Sequence, residues 1–300
     1  MTPTLSLVFV SYNSTNELAV ALSSLQEAEP ELVIEKIVVD NASEDLARLR
    51  TVCQCHGAKL LEMKKNLGYG AAANRGFRIA QGEYLAVANP DLIFPRLSLT
   101  RLVNFFEEYP DAAAVAPQLL YMDGTPHPTA RRFPRLRYIL AGRRSFIARF
   151  FPRMSRAEEF QYAQIANAQE PVSVDAIIGA LMLFRRTALR QVGGFDEGYF
   201  LFAEDIDICR RLKEKGWQVF VDPRVRVHHY YGGVRRHHAD FSDYHRLKGL
   251  CRFFCKDRNG LGCLVINFLF AGYLFLSEAS WLVGLREAEY SWNRSKSTVG

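Results

Sequence analysis

The sequence has no CxxC pair, no internal repeat, no low-complexity tract and no glycine-rich turn after its first apolar run. Each absence removes a class of protein. Six cysteines, at 53, 55, 209, 251, 255 and 263, form neither a disulfide framework nor a structural zinc pattern, which points to a reducing compartment. Met1-Thr2-Pro3-Thr4 leads straight into an apolar strand without a basic segment or cleavage signal, so a cytoplasmic location is expected. Ser11-Tyr12-Asn13-Ser14 stands where a dinucleotide fingerprint would place its glycines, which argues against a nicotinamide-dependent oxidoreductase. A hydrophobic content of 49% excludes wholesale disorder. The net charge of +6 favours an anionic partner: phosphate, nucleic acid or an acidic membrane face.

Three hundred residues suit two domains, or one large α/β domain with an appendage. Leu5 to Val10 is a short apolar run of the kind buried on both faces of a parallel sheet. Ser14 or Thr15 then opens a helix with Leu18, Leu22 and Leu25 on one face. Strands follow at Ile37 to Val39, Leu60 to Met63 and Tyr84 to Ala88. Helices are expected after Ser43 and Asp45, over 71–80, and over Leu99 to Tyr109. This alternation predicts a largely parallel sheet with right-handed crossovers. Beyond the middle of the chain the pattern gives a strand over Ile177 to Phe184 and a helix from about Asp205 to Lys215. Two further strands are expected at Gln218 to Val221 and Val225 to Val227.

Two stretches break the rhythm. Residues 123–171 are an insertion in which nine arginines fall between Arg131 and Arg156 without one acidic residue, interleaved with aromatics. The tail places Arg246, Lys248, Arg252, Lys256 and Arg258 ahead of Leu261 to Leu285, where Glu278 is the sole charge. Its length suits a membrane span, but a charge two-thirds of the way along is costly there. The alternatives are an amphipathic or re-entrant helix pair at an anionic membrane surface, a span, and a buried or oligomer-forming helix. The domain reading is therefore 1–240 for the α/β domain and 241–300 for a helical, membrane-associating or oligomerisation segment.

Ligands of open α/β sheets sit beyond the carboxyl ends of the strands, which directs attention to the polar residues there. Asp40 is placed to accept from a ribose hydroxyl or a base, or else to form an Asx turn with Asn41-Ala42-Ser43. Gly68-Tyr69-Gly70 and the lean helix through Asn74, Arg75 and Gly76 allow a flat ligand or a neighbouring strand to approach closely. Asp91, in Asn89-Pro90-Asp91, is a carboxylate able to hold Mg²⁺ or Mn²⁺ against a diphosphate, unless the segment is a plain turn. Glu204, Asp205 and Asp207 follow Phe200-Leu201-Phe202-Ala203. They either complement a helix dipole, Asp207 pairing with Arg211, or supply a half-buried carboxylate as a base. On a period of two, His229 continues the face of Val225 and Val227, and it is the candidate nitrogen ligand beside Asp91; His228 is the alternative.

In order along the chain, Val10-Ser11-Tyr12-Asn13, Val38 to Ser43, Asn66 to Gly76, Ala88 to Asp91, Gly179-Ala180, Val192 to Glu197, Phe200 to Arg211, Gly216-Trp217 and the strand into His229 resemble glycosyltransferase family 2. These are inverting enzymes of the GT-A fold, and the closest likeness is to the rhamnosyltransferase-like branch. The resemblance covers about residues 5–233. It implies a mixed, mostly parallel sheet flanked by helices, and a nucleotide-sugar donor held by Ser11, Tyr12, Asn13, Asp40, Asn41, Gly70, Asn74, Arg75, Asn89 and Asp91. Asp91 stands for the last carboxylate of a DXD motif, while Asn89 replaces the first, which leaves more of the metal to His229.

Further implications are Asp205 as general base, with Glu204 as its alternate, and Gly179, Ala180 and Asp207 on the acceptor side. The implied activity is transfer of rhamnose from dTDP-rhamnose to a glycan or polyprenyl-diphosphate-linked acceptor in cell-surface polysaccharide synthesis. The implied setting is peripheral, on the inner face of the cell membrane. A UDP-hexose or UDP-galactofuranose donor, and a non-catalytic membrane scaffold, are the competing readings; a homo-oligomer is left open. A nucleic-acid-binding role would explain the basic charge and the Arg/Phe-rich insertion but not three carboxylates beside two histidines, so nucleic acid is not expected as a partner.

Overall fold

In a computed structural model of the chain, the described residues are 3–135, 162, 165, 167–230, 239–256 and 260–282. They fall into two compact units, one drawn from Met1–Pro134 and Glu158–Gly249, the other from Arg135–Ala157 and Leu250–Gly300.

The first unit is built on a mixed sheet. Strands β1 (Leu5–Ser11), β2 (Ile34–Asp40), β3 (Lys59–Glu62), β4 (Tyr84–Ala88), β5 (Leu92–Ile93) and β6 (Ala112–Leu120) come before the insertion. Strands β7 (Ala130–Arg131), β8 (Val172–Ser173), β9 (Ala176–Ile177), β10 (Leu181–Arg185) and β11 (Gln218–His229) complete the set. The order across the main sheet is β3-β2-β1-β4-β10-β6-β11-β5, with β8 on the side of β11 and β7 paired separately with β9. β1 is parallel to β2 and β4, while β10 runs antiparallel to β4 and β6. Strand order reverses between β1 and β4, the place where such sheets open a ligand crevice.

Helices α1 (Thr15–Ala28), α2 (Leu46–Cys55), α3 (Tyr69–Ile79) and α4 (Ser98–Glu108) form the crossovers; α5 (Arg186–Gln191) and α6 (Glu204–Glu214) follow. β1 is buried throughout, and Leu5, Leu7 and Phe9 join Leu18, Leu22 and Leu25 of α1 in one core, as the apolar periodicity requires. The buried carboxylate of Glu29 accepts from the backbone N–H groups of Leu99 (2.6 Å) and Thr100 (3.2 Å), which satisfies the N-terminus of α4.

Three expectations about the elements need correction. β6 was not foreseen, because Ala112-Ala113-Ala114 carries no strand propensity; pairing with β10 and β11 and complete burial override it. Pro117 within it lies opposite Asp222, where the β11 register jumps to Arg226 and no ladder hydrogen bond is required of the proline. That jump is also why Gln218 to Val227 is one long irregular strand instead of two. Conversely, Ile177 to Phe184 is not one strand. It breaks at Gly179-Ala180 between β9 and β10, and the break belongs to the site described next.

Helix α7 (Ala239–Cys255) runs into the second unit, which also holds α8 (Gly260–Leu282). There the two helices are linked by Cys251 Sγ donating to Asn267 Oδ1 (2.8 Å) and Cys263 Sγ to the Cys255 carbonyl (3.3 Å). Among the described residues, no helix is long and apolar enough to cross a membrane.

Candidate active site

The polar residues at the ends of β1 and β2 brace each other. Ser11 pairs with Asp40 in register, and the Asn41 N–H donates to the Ser11 carbonyl (2.8 Å). Asn13 adopts a left-handed backbone (φ 50°), donates its N–H to Ser43 Oγ (2.9 Å) and accepts from the Glu44 N–H at Oδ1 (2.9 Å). Asp40 accepts from the Ser43 N–H (3.1 Å), so the Asx turn is real. Asn41 accepts from the Leu67 N–H (2.8 Å) and donates to Asn66 Oδ1 (2.8 Å), tying down the loop that enters α3. Tyr12 and Asn13 are the exposed members of this group, and Tyr12 offers an open ring.

That loop turns at Gly68 (φ 87°), where a Cβ would overlap the Phe200 backbone, and the Tyr69 N–H donates to the Phe200 carbonyl (2.9 Å). Gly70 lies against Phe195 and Glu204, and a Cβ there would stand 2.9 Å from Phe195 Cβ. The role expected of Asn74 at the nucleotide needs correction. It is buried, its amide donates to the Phe195 carbonyl (2.8 Å) and Glu197 Oε1 (3.2 Å), and its Oδ1 accepts from the Phe195 N–H (2.9 Å). Every donor and acceptor of its side chain serves the Val192 to Glu197 loop. Arg75 makes no hydrogen bond or ion pair among the described residues and keeps its guanidinium available.

Asp91 and His229 meet because β5 closes on the last two residues of β11, with His229 opposite Leu92 and His228 opposite Ile93. His229 Nε2 lies 3.1 Å from Asp91 Oδ1 and 3.5 Å from the Asn89 amide nitrogen. His229 is the buried member of the histidine pair, as the alternation predicts. The ring of His127 packs 5.4 Å from that of His229, edge to face. A carboxylate oxygen and an imidazole nitrogen at one point suit one face of a divalent cation. Among the described residues no group of three or more His, Cys, Asp or Glu forms a complete protein-only metal site, so diphosphate oxygens would have to supply the remaining positions.

The second carboxylate cluster sits at the start of α6. Phe202 (φ 67°) and Ala203 (φ 70°) are consecutive left-handed residues, a strained turn that delivers Glu204 and Asp205 as the first residues of the helix. Gly249 of α7 lies against this turn, and a Cβ there would overlap the Phe202 carbonyl. Asp205 Oδ2 accepts from the Gly179 N–H (3.0 Å) and Oδ1 from the Ile206 N–H (2.8 Å). Burial, and then the neighbouring Asp205 charge, push the Glu204 carboxyl up to about 8, and its Oε2 has no hydrogen-bond partner among the described residues. Asp207 is not an acceptor-side group: it is wholly buried, bonded to Tyr199 Oη (3.2 Å) and paired with Arg211 (2.7 Å), whose guanidinium also donates to the Gly194 carbonyl (2.8 Å).

The break at Gly179-Ala180 links the two clusters. The Asn89 N–H donates to the Ala180 carbonyl (2.8 Å), while the preceding residue, Gly179, donates to Asp205. Tyr69 donates its hydroxyl to the Gly179 carbonyl, and its phenol pKa is raised by burial and by the charges of Glu204, Asp205 and Asp91. Arg131 also bears on the site, its positive charge opposing the rise at Glu204. Sequence reading gave no role to Tyr69 or His127. Tyr69 stands 110 residues from Gly179, and no spacing rule reports such a contact.

The family model described as glycosyl transferase family 2 matches residues 6–193, and one described as the N-terminal domain of galactosyltransferase matches 161–249. The chain is 33% identical over 243 residues to N-acetylglucosaminyl-diphospho-decaprenol L-rhamnosyltransferase of Mycobacterium tuberculosis, covering 76% of this chain and 77% of that protein. It is 27% identical over 268 residues to rhamnosyltransferase WbbL of Escherichia coli, covering 84% and 93%. Among solved structures, a mannosyltransferase from Pyrobaculum calidifontis in complex with GDP-Man and Mn²⁺ superimposes with a TM-score of 0.58 at 19% identity, covering 97% of this chain and 83% of that one. GalNAc-T7 with UDP, GalNAc and Mn²⁺ superimposes with a TM-score of 0.55 at 16% identity, covering 77% and 44%.

Proposed function

The chain belongs to glycosyl transferase family 2 and is a glycosyltransferase, and from that premise we propose that it moves rhamnose from dTDP-rhamnose onto a saccharide carried on a polyprenyl diphosphate. The observation that carries the reading is the pairing of two sites around one backbone segment. Asp91 and His229 stand on the Ala180 side of it, and Asp205 on the Gly179 side. The rhamnosyltransferase names of the two relatives, one of them acting on a diphospho-decaprenol-linked sugar, support the donor and the acceptor class.

In this reading Tyr12 and the braced ends of β1 and β2 receive the base and ribose, and Arg75 lies toward the phosphates. Asp91 and His229 would hold Mg²⁺ or Mn²⁺, which when bound would neutralise charge on the leaving diphosphate. Asp205, held by two backbone N–H groups, takes the proton from the acceptor hydroxyl as that oxygen attacks the anomeric carbon. The bond to the diphosphate oxygen breaks on the opposite face, so one displacement inverts the configuration. Gly179 and Ala180, without bulky side chains, leave room for the acceptor beside Asp205. A membrane-borne acceptor places the reaction at the inner face of the cell membrane.

Asp205→Asn tests the assignment. Transfer should fall at least about a hundredfold, with thymidine diphosphate binding retained. Near-normal turnover by that variant removes Asp205 from the role of base. A thermal-shift panel of nucleoside diphosphates, with and without Mg²⁺ or Mn²⁺, tests the donor: stabilisation by the thymidine nucleotide supports rhamnose, and a preference for the uridine nucleotide overturns it.

A further inference from the structure

We propose that the exposed face of α8 is a docking surface for an anionic lipid bilayer, on which the second unit lies without crossing. Leu261, Leu264, Val265, Phe268 and Leu269 recur at intervals of three and four, which sets them along one side of the helix, and all are 41–81% exposed. Ile266, on another face, is 2% exposed and Phe253 of α7 is buried, so the unit has an inner side already filled and an outer side left apolar. Five large apolar side chains in one exposed row exceed the scatter expected on a soluble surface.

The charge pattern selects the occupant. Lys248 and Arg252 of α7 and Lys256 just past its end follow one another at intervals of four and are all exposed, and no acidic residue lies between Asp243 and Asp257. From Gly260 to Ser277 there is no charged residue of either sign. Apolar residues in a row with clustered cations nearby are the two features that an interfacial helix uses, one to enter the acyl boundary and the other to meet lipid phosphates. A second copy of this chain would bring the same cations against themselves. Glu278 fits a helix resting at the interface, where a carboxylate stays hydrated, better than one passing through hydrocarbon. The inference deepens the reading of a lipid-linked acceptor, but lipid binding needs neither donor nor acceptor and is measured apart from transfer.

The experiment is flotation of the full chain with vesicles of phosphatidylcholine alone and of phosphatidylcholine mixed with phosphatidylglycerol. The protein should float with the anionic vesicles, and added salt should weaken it. Lys248→Gln, Arg252→Gln and Lys256→Gln should each lower partitioning about fivefold. The pair Leu264→Asp and Phe268→Asp should lower it at least about tenfold. Because both side chains are exposed, their melting temperature should match the parent. Equal flotation of the apolar pair and the parent overturns the proposal. So does a parent that forms a dimer which the pair dissolves without any change in lipid binding; that outcome makes the face an interface between copies. Loss of flotation with rhamnosyl transfer absent from parent and variant alike would sink the donor reading and leave the docking face standing.

Discussion

Glu204 is the residue whose chemistry is most sensitive to its surroundings. Its carboxyl is raised from the usual 4.5 to about 8 by burial and by Asp205 beside it. The sign of the consequence follows from linkage. Below 4.5 the group is protonated in both the folded and unfolded chain and contributes nothing. As pH rises from 4.5 toward 8 the unfolded chain releases the proton while the folded one keeps it, so this residue's contribution to stability falls through that window and levels off above it. Glu204→Gln should flatten that part of the stability profile, as measured by urea unfolding over the same pH range. An unchanged slope would place the titration elsewhere. Tyr69 is a positioning residue: its hydroxyl holds the Gly179 carbonyl, and the same residue's N–H points at Asp205. Tyr69→Phe should lower kcat on the order of tenfold with donor KM unchanged and a loss of about 1 kcal/mol in stability. A purely structural tyrosine would lower stability and leave kcat alone. The aromatic run before Glu204 and Asp205 made a half-buried carboxylate legible in the sequence without saying which of the two it is, whereas Tyr69 reads there only as a spacer between glycines.

Elements present these residues through a few close approaches. Gly76 brings α3 onto β1 so closely that a Cβ would overlap the Val8 side chain. Gly76→Ala should destabilise the fold by about 1–3 kcal/mol in denaturant, because neither the strand nor the helix has room to yield. Asn74→Ala removes three hydrogen bonds that hold the Val192 to Glu197 loop and should cost about 2–4 kcal/mol in the same measurement. A nucleotide-binding Asn74 would instead raise donor KM with little change in stability. Apart from the two-residue β5, the strands and helices up to Tyr109 were legible because each carries its own period: two-sided burial in β1, an apolar stripe in α1, small residues in α3. β6 was not, since alanine has no strand preference and its pairing partners lie 60 to 110 residues further on. The Asp207–Arg211 pair was legible from helical spacing alone, and it is this local pairing that takes Asp207 away from the acceptor side.

On the scale of the molecule, the strand ends carrying Asp40, Asp91 and His229 were legible in the sequence, and the structure brings Asp91 and His229 together. What the sequence could not reveal is how β5 folds back to bring Asp91 to His229. Asp91→Asn should lower the stabilisation that Mn²⁺ adds to a bound nucleoside diphosphate while leaving the metal-free melting temperature within about 2 °C. Equal metal-dependent shifts in variant and parent would remove Asp91 from the cation site.

Gly249 carries a practical lesson for anyone shortening this chain. The helix that backs onto Phe202 and Ala203 is the same one that leads to the apolar row of α8. Trimming away the greasy end to obtain a well-behaved enzyme is safe only if the cut falls beyond residue 249. A cut at 240 would take the buttress from behind the bend that holds Glu204 and Asp205 in place, and would yield a protein that behaves better in the test tube and turns over worse.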